Sequence, residues 1–178
     1  MKYEKVLFSP KTNFSEVFSA DQLWGQMVWA ISDLKGSDAA SDFVASFKSD
    51  PPFLISSLMI DGCFPVPIVS DTKIRDDKEL EIAKYNKKCR WISLDDFKEF
   101  QKNTEFLFNT KLNLEFNNSL KGVIEVHPSI SRLTNIVEEK KLFNSQYVYS
   151  NKKFCIYIKY LADDEKWKAL VKEVIGYW

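Results

Sequence analysis

The sequence predicts an α+β fold, a small antiparallel sheet with amphipathic helices laid over one face. Three observations carry this expectation. An alternating stretch at 2–9 is followed by a helical pattern at 20–35, and a second alternating stretch at 154–160 is followed by another helical pattern up to about 176. Between them, from residue 70, the composition turns dense in charge of both signs, the mark of a long excursion inserted into a simpler frame.

The elements follow in order. In KYEKVLFS, Lys2, Glu4, Val6 and Phe8 would face one way, and Tyr3, Lys5, Leu7 and Ser9 the other. Pro10 ends this strand. Ser19 is a suitable N-cap, and Gln22 three residues later completes a capping box. Leu23, Trp24, Met27, Val28 and Ile31 then recur at helical spacing, and Gly36 is the expected C-cap. A second helix is expected over 38–48, with Phe43, Val44 and Phe47 on one face, stopped by Pro51 and Pro52. FLISSLMI at 53–60 reads as one buried strand. Ser93 as cap, Asp95 and Asp96 in a first turn, and Phe97 with Phe100 predict a helix over 94–102. In FCIYIKY, Phe154, Ile156, Ile158 and Tyr160 share one face; Cys155, Tyr157 and Lys159 share the other. Asp163 or Asp164 would cap the last helix, whose Trp167, Leu170, Val171 and Val174 fall at i, i+3, i+4 and i+7.

Without the insertion at about 70–150, whose apolar content reads as too sparse for a core of its own, the order is strand, helix, strand, excursion, strand, helix. That is a ferredoxin-like βαββαβ pattern without its final strand, read as one domain over 1–178. In such a fold the helices cover one sheet face and leave the other free for RNA, as in RNA-recognition modules.

Composition narrows the function classes. Lys and Arg total 25, as do Asp and Glu, so the net charge is zero and any nucleic-acid surface must be local. Cys63, Cys89 and Cys155 are odd in number and widely spaced, supporting neither a disulfide framework nor a zinc site. Reduced thiols, no signal-peptide pattern at the N-terminus and no run near the roughly 18 apolar residues of a membrane span lead us to expect a cytoplasmic protein without a membrane partner. His127 is the only histidine, with no nucleophile tied to it by spacing. Of the acidic pairs Asp76-Asp77, Asp95-Asp96 and Asp163-Asp164, two sit at expected helix starts, where carboxylates act as caps. No catalytic residue, metal site or cofactor is expected.

Three blocks, in order, carry a resemblance. FSADQLWGQMVWAI resembles the pattern of apolar residue, Ser/Thr, Ala, Asp, any residue, Leu, aromatic that follows the first strand in one branch of the CRISPR RAMP superfamily. PPFLISSLMIDGCFPVP resembles that branch's next block, an apolar strand with a Phe-Pro-x-Pro exit. HPSISRLTNIVEEKKLF at 127–143 resembles a third, centred on Ile-x-Arg-x-Thr. The branch is the subunit that caps the 5′ end of the crRNA in type III-A (Csm) effector complexes. The resemblance implies a non-catalytic, crRNA-binding RAMP domain that holds the 5′ handle. It also implies contact with a large polymerase-like subunit, a backbone RAMP subunit and, through a thumb-like hairpin in the insertion, the target RNA duplex. Members of the branch follow the last helix with a glycine-rich loop, a closing strand and a second domain. This sequence stops at Ile175-Gly176-Tyr177-Trp178, so we expect either a fragment or a sheet completed by a partner.

Candidate RNA contacts follow. Ser19 marks a helix N-terminus that could offer backbone N–H groups to a phosphate, although capping alone explains it. Arg132, with Ser131 and Thr134 as minor donors, is implied by the resemblance as a contact to the handle; a surface ion pair with Glu138 or Glu139 is the plainer alternative. Lys84, Lys87, Lys88 and Arg90 surround Tyr85 and run into Trp91. Interleaving of this kind suits RNA, since rings stack on bases while cations meet phosphates, and the segment is the expected site of the hairpin; a solvated charged loop, its field diluted by Asp76, Asp77, Glu79 and Glu81, is the plainer alternative. Tyr157 and Lys159 lie on the strand face that RNA-recognition sheets display, with packing against the insertion as the plainer alternative. Two rival readings are a crRNA-processing endoribonuclease with His127 as general base, and a ferredoxin-like protein-interaction module without RNA contact, which the zero net charge favours.

Overall fold

The structure, a computed structural model, describes the chain except residues 1, 13, 15–16, 70–73, 114–119, 131–136, 162–164 and 178; at 2, 128–130 and 137–143 it describes the backbone only. The architecture is mixed helix and antiparallel sheet, in two compact units.

The first unit comprises Met1–Phe8, Phe18–Leu58 and Cys155–Trp178. It contains strand β1 (Lys2–Phe8), helices α1 (Ala20–Lys35) and α2 (Ser37–Ser46), strand β2 (Phe53–Ile55), strand β8 (Phe154–Tyr160) and helix α6 (Glu165–Tyr177). Its strands stand in the order β1-β8-β2, so the two alternating stretches from opposite ends of the chain are neighbours. β2 and β8 are antiparallel, with Phe53 opposite Tyr160 and Leu54 opposite Lys159.

The helices form where the apolar spacing predicts. Leu23, Met27, Ala30 and Ile31 of α1 are buried, as are Val171 and Val174 of α6. Gly36 ends α1 and opens α2 with φ +90°, a conformation that side chains rarely adopt, and its N–H donates to the Ser32 carbonyl at 2.9 Å. One aromatic cluster joins helices to sheet. Phe43 lies 6.0 Å from Trp24 and 5.0 Å from Phe47, and Phe53 lies 5.1 Å from Phe47 and 6.4 Å from Trp167. Phe53 is fully buried, so its contacts put the helices on the Phe53–Tyr160 face of the sheet. On that face the Tyr160 hydroxyl donates to the Glu4 carboxylate at 2.8 Å; burial first, then this hydrogen bond and the Glu4 charge, push its pKa well up.

The stretch 53–60 is not the single strand expected. β2 stops at Ile55 because Ser56 substitutes its side chain in the ladder: Ser56 N–H donates to the Tyr157 carbonyl, but Tyr157 N–H donates to Ser56 Oγ, each at 2.9 Å. Ser57 Oγ then accepts from Ala20 N–H at 3.1 Å, the first donor of α1. The two serines break the strand and fix the helix start.

The second unit comprises Ser9–Val17 and Met59–Phe154. It holds β3 (Met59–Ile60), β4 (Cys63–Pro65), α3 (Asp77–Asn86), β5 (Trp91–Ser93), α4 (Leu94–Lys102), α5 (Phe106–Asn109), β6 (Lys121–Ile130) and β7 (Val137–Tyr149). The expectation of a region too poor in apolar residues for a core is corrected here. Cys89, Ile92, Leu107 and Leu112 are buried together, with Phe64, Tyr85, Phe97, Phe100 and Phe106 packed against them. The apolar residues are spread thinly along the chain, but α3–α5 and β4–β5 gather them. Buried Asn86 ties the cluster: its Nδ2 donates to the Leu107 and Thr110 carbonyls at 2.7 and 2.8 Å, and its Oδ1 accepts from Leu112 N–H at 2.9 Å. β6 and β7 form a long antiparallel hairpin, from Lys121 opposite Tyr149 to Ile130 opposite Val137, with an irregularity after Pro128.

Candidate functional site

The sheet of the first unit has a second face, opposite the helices. Alternation along β1 directs Tyr3, Lys5 and Leu7 to it; β8 contributes Tyr157 and Lys159, and β2 contributes Leu54, opposite Lys159. Tyr3 is 66% exposed, and Leu7 and Leu54 about half exposed. The cations and rings are crossed between strands. Lys5 Nζ lies over the Tyr157 ring, 6.0 Å from its centre, and Lys159 Nζ lies over the Tyr3 ring at 5.8 Å. β1, β8 and β2 bring two lysines and no carboxylate to this surface, because alternation puts Glu4 on the other face, where it accepts from Tyr160. The face closes at Cys155, which is fully buried.

Magnitudes indicate what this surface can do. An exposed cation–π contact is worth about 0.5–1 kcal/mol, whereas stacking a base on an aromatic side chain is worth about 1–3 kcal/mol. A base can therefore displace either ammonium from its ring and leave it to meet a phosphate a few ångströms away. Tyr157 and Lys159 were expected here from sequence; Tyr3 and Lys5 were not. Their positions on the outward side of KYEKVLFS were readable, but only the β1–β8 adjacency makes them partners of Tyr157 and Lys159.

The other expected sites fare differently. At Ser19, the Gln22 side-chain oxygen accepts from the Ser19 N–H at 2.8 Å and from its hydroxyl at 3.0 Å, while Ala20 N–H is taken by Ser57. A hydrogen bond from Ser19, then backbone N–H groups, hold the Asp21 carboxyl below its ordinary pKa, so a negative charge occupies this helix start. The local chemistry is that of a cap.

Residues 84–91 are not a hairpin, a correction to the expectation above. They are the last turn of α3 and the turn leading into β5, and the hairpin of this unit lies at β6–β7 instead. Lys84, Lys87, Lys88 and Arg90 are exposed, but Tyr85 packs on the Cys89–Leu112 cluster and Trp91 is buried. The Tyr85 ring is faced by Lys111, which pairs with Glu81 at 2.7 Å. Cations and rings adjacent in sequence are thus parted by the fold.

Ser131, Arg132 and Thr134 lie outside the described residues, in the segment joining β6 to β7. His127 Nε2 is 3.6 Å from Glu125 Oε2, two residues away on β6. Asp76 caps α3, its Oδ1 accepting from Glu79 N–H at 2.7 Å; Asp95 and Asp96 sit in the first turn of α4. Among the described residues no group of three His, Cys, Asp or Glu side chains is placed to hold a metal, and no helix is long and apolar enough to cross a membrane.

No family model matches the chain, and no curated protein does. Solved structures do. A chain in the "Crystal structure of Csm1-Csm4 cassette in complex with cA4" superposes with TM-score 0.67 at 17% identity, covering 99% of this chain and 66% of that one. A chain in the "Crystal structure of Csm3-Csm4 subcomplex in the type III-A CRISPR-Cas interference complex" gives TM-score 0.63 at 16% identity, covering 98% and 63%. This chain therefore spans slightly less than two thirds of the chains it matches. Those neighbours are the Csm4 subunits of type III-A CRISPR–Cas assemblies, and it is their fold that this chain shares.

Proposed function

We propose that this protein is a non-catalytic, RNA-binding subunit of a type III-A CRISPR ribonucleoprotein, holding the crRNA near its 5′ handle. The observation that carries this reading is the crossed Tyr3–Lys159 and Tyr157–Lys5 arrangement on the sheet face opposite the helices, in a chain with the fold of Csm4. Bases would stack on the tyrosines, phosphates would meet the two ammoniums, and Leu7 and Leu54 would flank the strand.

The strand order β1-β8-β2, with α1 and α2 after the first strand and α6 after the third, supports a ferredoxin-like RAMP domain whose fourth strand position lies beside β1. On this reading the protein partners are counterparts of Csm1 and Csm3, the proteins named with Csm4 in the neighbouring structures. Arg132, Ser131 and Thr134 remain proposed handle contacts on the strength of the resemblance.

The test is equilibrium binding of labelled single-stranded RNA carrying a repeat-derived 5′ handle. Wild-type protein binds with an affinity that falls as salt rises. Absence of RNA binding at low salt, with protein partners still captured at high salt after nuclease treatment, would support the interaction-module reading and sink this one. Cleavage of repeat RNA that His127→Ala abolishes would show a nuclease instead.

A further inference from the structure

A second basic site lies in the second unit. Residues 9–12 and 149–153 enclose a cavity of about 330 Å³, lined by Lys11, Lys152, Lys153, Ser150, Asn151 and Tyr149, with Ser9 and Thr12 at the other wall. Its walls are tied together. Phe14 N–H donates to the Val148 carbonyl at 3.1 Å, and Val148 N–H donates back to the Phe14 carbonyl. The Phe14 ring also meets Phe154 edge-on at 5.5 Å. The lysine turn is shaped by buried Ser150, whose Oγ accepts from Lys152 N–H at 3.1 Å, and pinned at its far end where Asp61 N–H donates to the Lys153 carbonyl at 2.9 Å. Lys11 and Lys153 have no carboxylate partner among the described residues. Three lysines, three serine or threonine residues, an amide and a half-exposed ring thus line a space suited to one nucleotide.

We propose that this pocket takes a phosphodiester of single-stranded RNA, with Lys11, Lys152 and Lys153 on its phosphate oxygens and Tyr149 stacked on the adjoining base. The proposal rests on the RNA-binding reading and adds a contact that neither the resemblance nor the sheet face supplies. Lysine ammoniums with hydroxyl donors beside a ring match a nucleotide rather than a carboxylate ligand, which would have no use for the ring. The same phosphate chemistry could come from a free nucleotide, and the test separates the two.

Binding of a labelled ten-nucleotide single-stranded RNA to the full chain is measured by anisotropy across a salt series. The variants are Lys11→Gln/Lys152→Gln/Lys153→Gln, Tyr149→Leu, Tyr149→Phe, and Tyr3→Ala/Tyr157→Ala on the sheet face, with folding checked by circular dichroism. The triple lysine variant is expected to bind about ten- to a hundredfold more weakly and to flatten the log–log salt slope by about 0.7, the value for one phosphate contact on a single strand. Tyr149→Leu weakens binding about fivefold or more while Tyr149→Phe retains it, and millimolar ATP leaves RNA in place. Unchanged affinity and slope in a folded triple variant, with the sheet-face variant impaired, would overturn the pocket and spare the RNA reading. Displacement of RNA by micromolar ATP would overturn it in favour of a free nucleotide. Failure of the wild type to bind RNA at all would remove both.

Discussion

Two regions of this molecule interleave cations with aromatic rings and arrive at opposite surfaces. On β1 and β8, Tyr3, Lys5, Tyr157 and Lys159 all emerge on one side, because a strand sends alternate residues the same way and neighbouring strands bring them into register. Between α3 and β5, Lys84, Tyr85, Lys87, Lys88, Arg90 and Trp91 are just as interleaved, yet the rings go inward and the cations outward. A helix end and turn sort residues by polarity around an axis, so adjacency in sequence becomes separation in space. An aromatic beside a cation therefore points to a stacking surface only when the local period places both on one face.

The largest expected effect breaks the comparison through stability. Trp91→Ala removes a buried ring and should cost about 3–5 kcal/mol in denaturant unfolding. Tyr3→Ala, on an exposed ring, should cost less than about 1 kcal/mol. Equal losses would mean that the two aromatic sets have the same environment.

Next comes RNA affinity. Tyr3→Ala/Tyr157→Ala should weaken single-stranded RNA binding by about 1–3 kcal/mol per stacked base, with circular dichroism unchanged. Substituting Lys84, Lys87, Lys88 and Arg90 together by Gln should act through salt alone. Any contribution they make appears as a flatter salt slope and vanishes at high salt, since no ring beside them is free to stack. A loss that persists at high salt would restore the cluster as a stacking site.

The smallest effect concerns the thiols. Cys63, Cys89 and Cys155 are buried, and burial pushes the Cys89 thiol above its ordinary 9.0. A raised pKa favours the neutral form in the folded state. The stability Cys89 contributes is thus complete below about 9 and declines as pH rises through the raised value. Thiol alkylation of native protein at pH 8 should be slow and become fast on unfolding; rapid native labelling of Cys89 would contradict the packing of the second unit.

What could be read in the sequence was whatever a single period declares. The helices at Ala20–Lys35 and Leu94–Lys102 and the strand Phe154–Tyr160 have caps or alternation that need no tertiary information. The helix Asp77–Asn86 escaped because its charged residues mask a narrow apolar stripe in which Ile82 is buried and Tyr85 half-buried. The hairpin of β6 and β7 escaped because Val123, Ile124 and Val126 are exposed, so hydrophobic alternation does not mark it. Half of the sheet-face site, Tyr157 and Lys159, came from β8 alone. The other half, Tyr3 and Lys5, depended on a pairing across some 150 residues that no local pattern encodes.

The most direct test of the central claim is ultraviolet crosslinking of guide RNA in the assembled ribonucleoprotein, read by mass spectrometry of the crosslinked peptides. Nucleotide adducts on Tyr3 and Tyr157, with none on Tyr85 or Trp91, are what this account predicts. Adducts confined to Tyr85 and Trp91, or a chain recovered without any, would contradict it.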